Sequence, residues 1–245
     1  MSHMHIPDGV LPLWLVFAGW IVTSVILYFS MRKVKKVGLD QKLPLIGIVS
    51  AIMIVGMTLE IVPIAYHVNL SVVAGIVLGP SLAFIAVFIV DLIISMFGHG
   101  GITVVGLNSL IVGAEAVLGF YIFRSFLGLF NIKRLSAGIS SALATGLSLM
   151  VSTSFMIGIV YISQLSPGII LNNEGQTVAE NASSRELLGG NERNPLQYQK
   201  IDVERFTKTI SLLGIFGWTL ESVITGLVIG YVFRVRPDLI LSKVA

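Results

Sequence analysis

The sequence predicts an all-α integral membrane protein of about seven transmembrane helices, with its amino terminus outside and its carboxyl terminus cytoplasmic. Three observations carry this reading. Mean hydropathy is +0.91, and 55% of the 245 residues are hydrophobic while 12% are charged, well below the roughly one quarter charged of a soluble domain. The apolar residues fall in runs of about 20, the length a helix needs to cross a bilayer core of ~30 Å. The basic residues gather in short clusters at the ends of those runs, so the formal charge of +3 is a topology signal and no nucleic-acid partner is expected.

In chain order, Met1-Ser2-His3 reads as the remnant of an expression-tag junction, which leaves 4–245 as a single membrane domain. The first span, about 10–31, runs directly into Arg32, Lys33, Lys35 and Lys36. That loop is therefore cytoplasmic and the amino end is outside. No basic n-region or small-residue cleavage site precedes the span, so removal as a signal peptide is not expected. The second span, about 43–64, contains Gly47 and Ala51, a small-xxx-small pair that lets another helix approach closely, and Glu60 near its outer end.

Residues 70–97 are almost unbroken apolar sequence, interrupted by Gly79-Pro80 and carrying Asp91. Parity divides them. As one span they would put Lys133 and Arg134 outside and the long acidic loop inside, against the charge rule. Two segments, about 70–79 and 81–97, restore it, and proline supports a break because it lacks the amide donor and disfavours helix in the residue before it. The first segment is too short to cross at 1.5 Å per residue. It must be covered by protein, leaving a recess for His67. The remaining spans are about 102–123, 135–162 and 209–233. An outer loop of about 163–207, rich in Pro, Asn, Gly and Glu, separates the last two.

The chemistry concentrates in four histidines: His3, His5, His67 and His99. On this topology all lie at the outer face, so a short tail can fold back over two histidine-bearing turns. With no cysteine in the chain, a metal must be held by nitrogen or oxygen. Where a histidine follows a terminal residue, the amine, the intervening amide nitrogen and the imidazole Nδ1 close rings of five and six atoms around one ion. A fourth nitrogen from His67 completes a plane, the geometry typical of Ni(II) or Cu(II). Pro7 and the Asp8-Gly9 turn can aim the tail inward. Histidines at helix ends are also ordinary interfacial residues, and Gly98 to Gly101 can be a tight turn needing positive φ.

Glu60, Asp91, Glu115 and Glu221 are acids within spans, which are rare and costly. They serve either as structural partners of buried polar groups or as a proton or cation relay. The relay makes a secondary cation transporter or channel the alternative function. No nucleophile triad is visible and Gly-x-x-x-x-Gly-Lys is absent, so neither an enzyme nor ATP hydrolysis by this chain is expected.

Met4-His5-Ile6-Pro7-Asp8-Gly9, then His67 ahead of Leu70-Ser71-Val72-Val73-Ala74-Gly75 and Leu78-Gly79-Pro80, then Gly98-His99-Gly100-Gly101-Ile102-Thr103 with Gly106-Leu107-Asn108 resemble the NikM/CbiM family. These are the membrane substrate-capture components of energy-coupling-factor nickel and cobalt transporters, and the likeness is closest to NikM. It covers roughly residues 4 to 125. The resemblance implies a seven-helix fold with the amino terminus tucked into the bundle, binding Ni(II) or Co(II) as substrate without an organic cofactor. It maps the ligands onto Met4, His5 and His67, and supporting groups onto His99 and Asn108. It also implies a membrane coupling (T) component docking at Gly47 and Ala51, cytoplasmic ATPase subunits, a small companion membrane subunit, and a prokaryotic plasma membrane.

The sequence departs from the family at Met4, which three residues precede, so that its nitrogen is an amide. Two registers restore a terminal amine. Met1-Ser2-His3 places histidine third, and trimming Met1 makes Ser2-His3 an amine followed by histidine. Met1 and His3 therefore stand beside Met4, His5 and His67 as candidate ligands.

Overall fold

The structure is a computed structural model, and it describes residues 5–6, 8–9, 11–35, 43–58, 67–98, 100–129, 134–165 and 203–244. Met1, His3, Met4, Glu60, His99 and most of the outer loop lie outside the described residues. Among the described residues there are eight helices and no strand. They are α1 (Leu13–Lys35), α2 (Leu43–Thr58), α3 (Ser71–Leu78), α4 (Pro80–Met96), α5 (Val105–Leu129), α6 (Arg134–Leu165), α7 (Val203–Val235) and α8 (Pro237–Val244).

Four of these, α1, α5 and the segments Ala137–Ser163 of α6 and Gly214–Val235 of α7, are long and apolar enough to cross a membrane. Helices α2 and α4 are apolar but shorter, at 16 and 17 residues. Helix α1 is apolar over most of its length, yet its faces differ in what they meet. Leu15, Val16, Gly19, Thr23, Ser30 and Val34 are buried, while Phe17, Ile21, Val25 and Phe29 are exposed. An outward apolar face of this kind suits lipid contact.

Helix α3 organises the bundle. It is 8 residues long, all of them buried, and it packs against α2, α4, α5, α6, α7 and α8. At 1.5 Å per residue it is only about 12 Å long, so protein must cover both its ends. Its close seat on α5 depends on Gly75, where a Cβ would lie 2.1 Å from the Ala116 carbonyl oxygen. Helix α3 ends at Leu78, and α4 begins at Pro80. Gly79 between them has φ 80° and ψ 163°, a conformation essentially restricted to glycine. Pro80 then occupies the first turn of α4, where its missing amide costs nothing. Gly79→Ala is therefore expected to destabilise the fold by roughly 1–3 kcal/mol. A drop of several degrees in the thermal midpoint in detergent checks it, and an unchanged midpoint would show that this corner relaxes freely.

The helices run past the boundaries that hydropathy suggests. Helix α5 continues through Arg124 to Leu129, and α7 starts at Val203, inside the stretch expected as outer loop. Hydropathy marks the apolar part of a helix and misses its polar extensions. It also gave no sign of α8, which turns away after Arg236 and buries Ile240. At that corner Arg236 donates to Asp238 at 2.9 Å, which holds the exposed Asp238 carboxyl below its ordinary range.

Candidate functional site

The amino-terminal tail is stitched to the turn before α5 and to α5 itself. Asp8 accepts hydrogen bonds from the Ile102 amide at 3.0 Å, from the Thr103 amide at 2.9 Å, and from the Thr103 hydroxyl. Asn108 holds Ile6 by its backbone: the Ile6 N–H donates to Asn108 Oδ1 at 2.9 Å, and its carbonyl accepts from Asn108 Nδ2 at 3.2 Å. The same carbonyl accepts from the Gly101 amide at 3.1 Å. Buried with Leu11, Leu15, Val16, Leu107, Ile111, Met156 and Ile159, the Ile6 side chain joins a core shared by the tail, α1, α5 and α6.

The glycine turn is what allows the tail this close. A Cβ at Gly101 would lie 2.3 Å from Asp8 Oδ1 and 2.4 Å from the Asp8 nitrogen. Gly100, at φ 96°, lies under His5, whose Cβ would be 3.1 Å from an added one. Both glycines thus serve close approach, and Gly100 also supplies the turn's positive φ. Helix α1 secures the same turn from its other side, with Trp20 Nε1 donating to the Thr103 carbonyl at 2.7 Å and the Thr23 hydroxyl donating to the Gly106 carbonyl at 2.6 Å.

With the tail docked, His5 meets α4. Its Nε2 lies 2.9 Å from Asp91 Oδ1, the two side chains being 11% and 1% exposed. Sequence reasoning flagged Asp91 as a costly acid within a span, either a structural partner or part of a relay, without naming its partner, which is 86 residues away. Among the described residues, no three His, Asp or Glu side chains cluster as a metal site. A site here would therefore draw on backbone nitrogens, or on the residues before His5.

His67 is buried at 5% exposure, at the start of the segment that leads into α3. The segment is held at several points. The Val68 amide donates to the Gly56 carbonyl at 3.2 Å. Leu70, at φ 57°, donates its amide to Glu221 Oε1 of α7 at 3.1 Å. Glu115 of α5 accepts from Asn69 Nδ2 at 3.3 Å, from the Ser71 hydroxyl, and from the Ser152 hydroxyl of α6 at 3.1 Å. Both glutamates are fully buried, and each is spent on the loop that carries His67. Their partners lie 37 to 151 residues away, too distant for any sequence pattern to link them. On α2, Gly47 opens onto free space with nothing within 4 Å of an added Cβ, and Ala51 is exposed beside it.

The family model for the cobalt uptake substrate-specific transmembrane region, CbiM, matches residues 5–239. A Methanocaldococcus jannaschii protein named for metal transport is 27% identical, with 98% of this chain and 96% of the relative aligned. The cobalt transport protein CbiM of Geobacter sulfurreducens is 29% identical over 57% of this chain and 41% of its own length. The fused nickel transport protein NikMN of Rhodobacter capsulatus is 37% identical over 44% and 32%. A crystal structure of a transition metal transporter shares the fold, with a TM-score of 0.70 at 22% identity, covering 98% of this chain and 96% of that one. With four membrane-length helices and a family match over nearly its whole length, this multi-pass membrane protein belongs to the CbiM family of substrate-specific transmembrane regions of metal uptake.

Proposed function

We propose that the chain captures Ni(II) or Co(II) outside the cell as the substrate-binding membrane subunit of an energy-coupling-factor type importer in a prokaryotic plasma membrane. The docked tail is the observation that carries this reading. Asp8, Ile6 and Asn108 bring His5 against the bundle, and the loop bearing His67 is fixed by two buried glutamates. Such anchoring supports a site in which His5 contributes its backbone nitrogen and Nδ1, and His67 contributes its imidazole. The remaining nitrogen comes from Met4; in the alternative registers, the chain's terminal amine and His3 stand in place of Met4 and His5 as donors. Four nitrogens in a plane favour nickel. Asn108 acts as support by setting the tail's position, and His99 is assigned the same role from its place in the glycine turn.

The metal is cargo, and the chain needs no organic cofactor for this task. Its transport energy would come from cytoplasmic ATPase subunits through a membrane coupling component. The open face at Gly47 and Ala51 supports docking of that component on α2, and a small companion membrane subunit would complete the assembly. The alternative of a carboxylate relay is less well supported, because Asp91, Glu115 and Glu221 are each engaged in anchoring the tail or the His67 loop. An anomalous-difference map at the nickel edge, from crystals grown with Ni(II), tests the reading. We expect one peak within bonding distance of nitrogens of both His5 and His67. A peak remote from either residue would overturn it.

A further inference from the structure

We propose that Asp91 is a positioning residue for capture: it holds His5 in the tautomer protonated on Nε2, leaving the lone pair of Nδ1 for the metal. The inference rests on the metal-capture reading above and assigns this α4 carboxylate a role within it. A carboxylate can only accept a hydrogen bond. At 2.9 Å from Asp91 Oδ1, Nε2 must therefore carry the proton, and a neutral imidazole then has its acceptor at Nδ1. Nδ1 is also the nitrogen that closes a six-membered ring with the backbone nitrogen of its own residue, whereas Nε2 points away from the backbone. The carboxylate is thus on the nitrogen that chelation does not use.

Two further features separate this pair from a routine buried contact. Asp91 is 1% exposed, and its Oδ2 has no hydrogen-bond partner among the described residues, although leaving a buried acceptor unsatisfied is costly. A carboxylate retained only for stability would be expected to satisfy both oxygens, as Glu115 does. Asp91 instead directs one oxygen at a residue of the tail. Ring orientation is set from two directions, the Ile6 backbone by Asn108 and Nε2 by Asp91, while Gly100 leaves room for the His5 Cβ.

The test uses the full chain in nanodiscs, with nitrogen-15 labelled histidine and His5 assigned from the signal lost in His5→Gln. Without metal, the native chain is expected to show His5 protonated on Nε2. Asp91→Ala is expected to give mixed tautomers and to weaken Ni(II) binding by roughly 10- to 100-fold, the usual cost of losing a group that orients a ligand. Asp91→Asn keeps shape and volume, so it covers the case in which alanine unfolds the chain. Its amide can present either its oxygen or its nitrogen to the ring, and Ni(II) affinity should follow whichever tautomer results. Native His5 protonated on Nδ1, or native-like Ni(II) affinity in a variant whose tautomer has changed, would overturn the inference alone. A native chain with the expected tautomer and no Ni(II) binding would overturn the capture reading instead.

Discussion

His67→Gln and His5→Gln are each expected to weaken Ni(II) binding by at least about 100-fold, since losing even a group that merely orients a ligand costs 10- to 100-fold. Calorimetric titration of the purified chain reads this directly. Glutamine keeps much of the side-chain volume and a polar end, so the buried position at 67 is not emptied and the fold is expected to persist. The two losses should not add, because removing either donor already breaks the plane of nitrogens. Binding by both variants as tight as in the native chain would take the imidazoles out of the site. A loss for His5→Gln with none for His67→Gln would place all donors in the amino-terminal segment with His5 among them, whereas the register built on Met1 and His3 predicts native binding by the His5 variant.

Gly101→Val is expected to displace the tail and take metal binding with it, although residue 101 is not proposed to touch the metal. An added Cβ would sit 2.3 Å from Asp8 Oδ1 and 2.4 Å from the Asp8 backbone nitrogen, and backbone cannot swing aside as a flexible side-chain end can. The carboxylate then loses its bonds to Ile102 and Thr103. Hydrogen bonds to charged groups contribute roughly 1.5–3 kcal/mol each, so losing two of them exceeds the ~1.4 kcal/mol that changes an equilibrium tenfold. A fall of at least 100-fold in Ni(II) affinity is expected, together with faster hydrogen exchange at residues 5–9. Gly128→Ala, which adds a methyl where nothing lies within 4 Å, should change neither. Native exchange and affinity in Gly101→Val would mean that the tail does not need the glycine turn.

How much of this was legible in the sequence depends on the range of the interactions. Helices and their order follow from local signals: apolar runs, basic residues at their ends, and a glycine-proline pair that stops one helix and starts the next. The Gly98 to Gly101 turn was visible as a turn, while its second task, admitting Asp8, was not, because steric clearance depends on a segment about 90 residues away. Acids within spans stood out because they are rare there. Their roles did not, since Asp91, Glu115 and Glu221 act on His5, Ser71 and Leu70 from other helices. Asp8 was read as half of a turn, yet it is also the main anchor of the tail. The short helix α8 was missed because eight residues opening on a proline are too few to establish a pattern.

Asn108 hydrogen-bonds Ile6 by both of its main-chain groups, which makes the tail a ruler. Residue 6 can be exchanged for another apolar side chain of similar bulk without losing the grip. The spacing from His5 to Asp8 has no such freedom, because Asp91, Asn108 and the Ile102-Thr103 amides stand at fixed intervals along it. Inserting a single residue between positions 5 and 8 would slip the measure by one notch, leaving every chemical group present and the imidazole at the wrong mark.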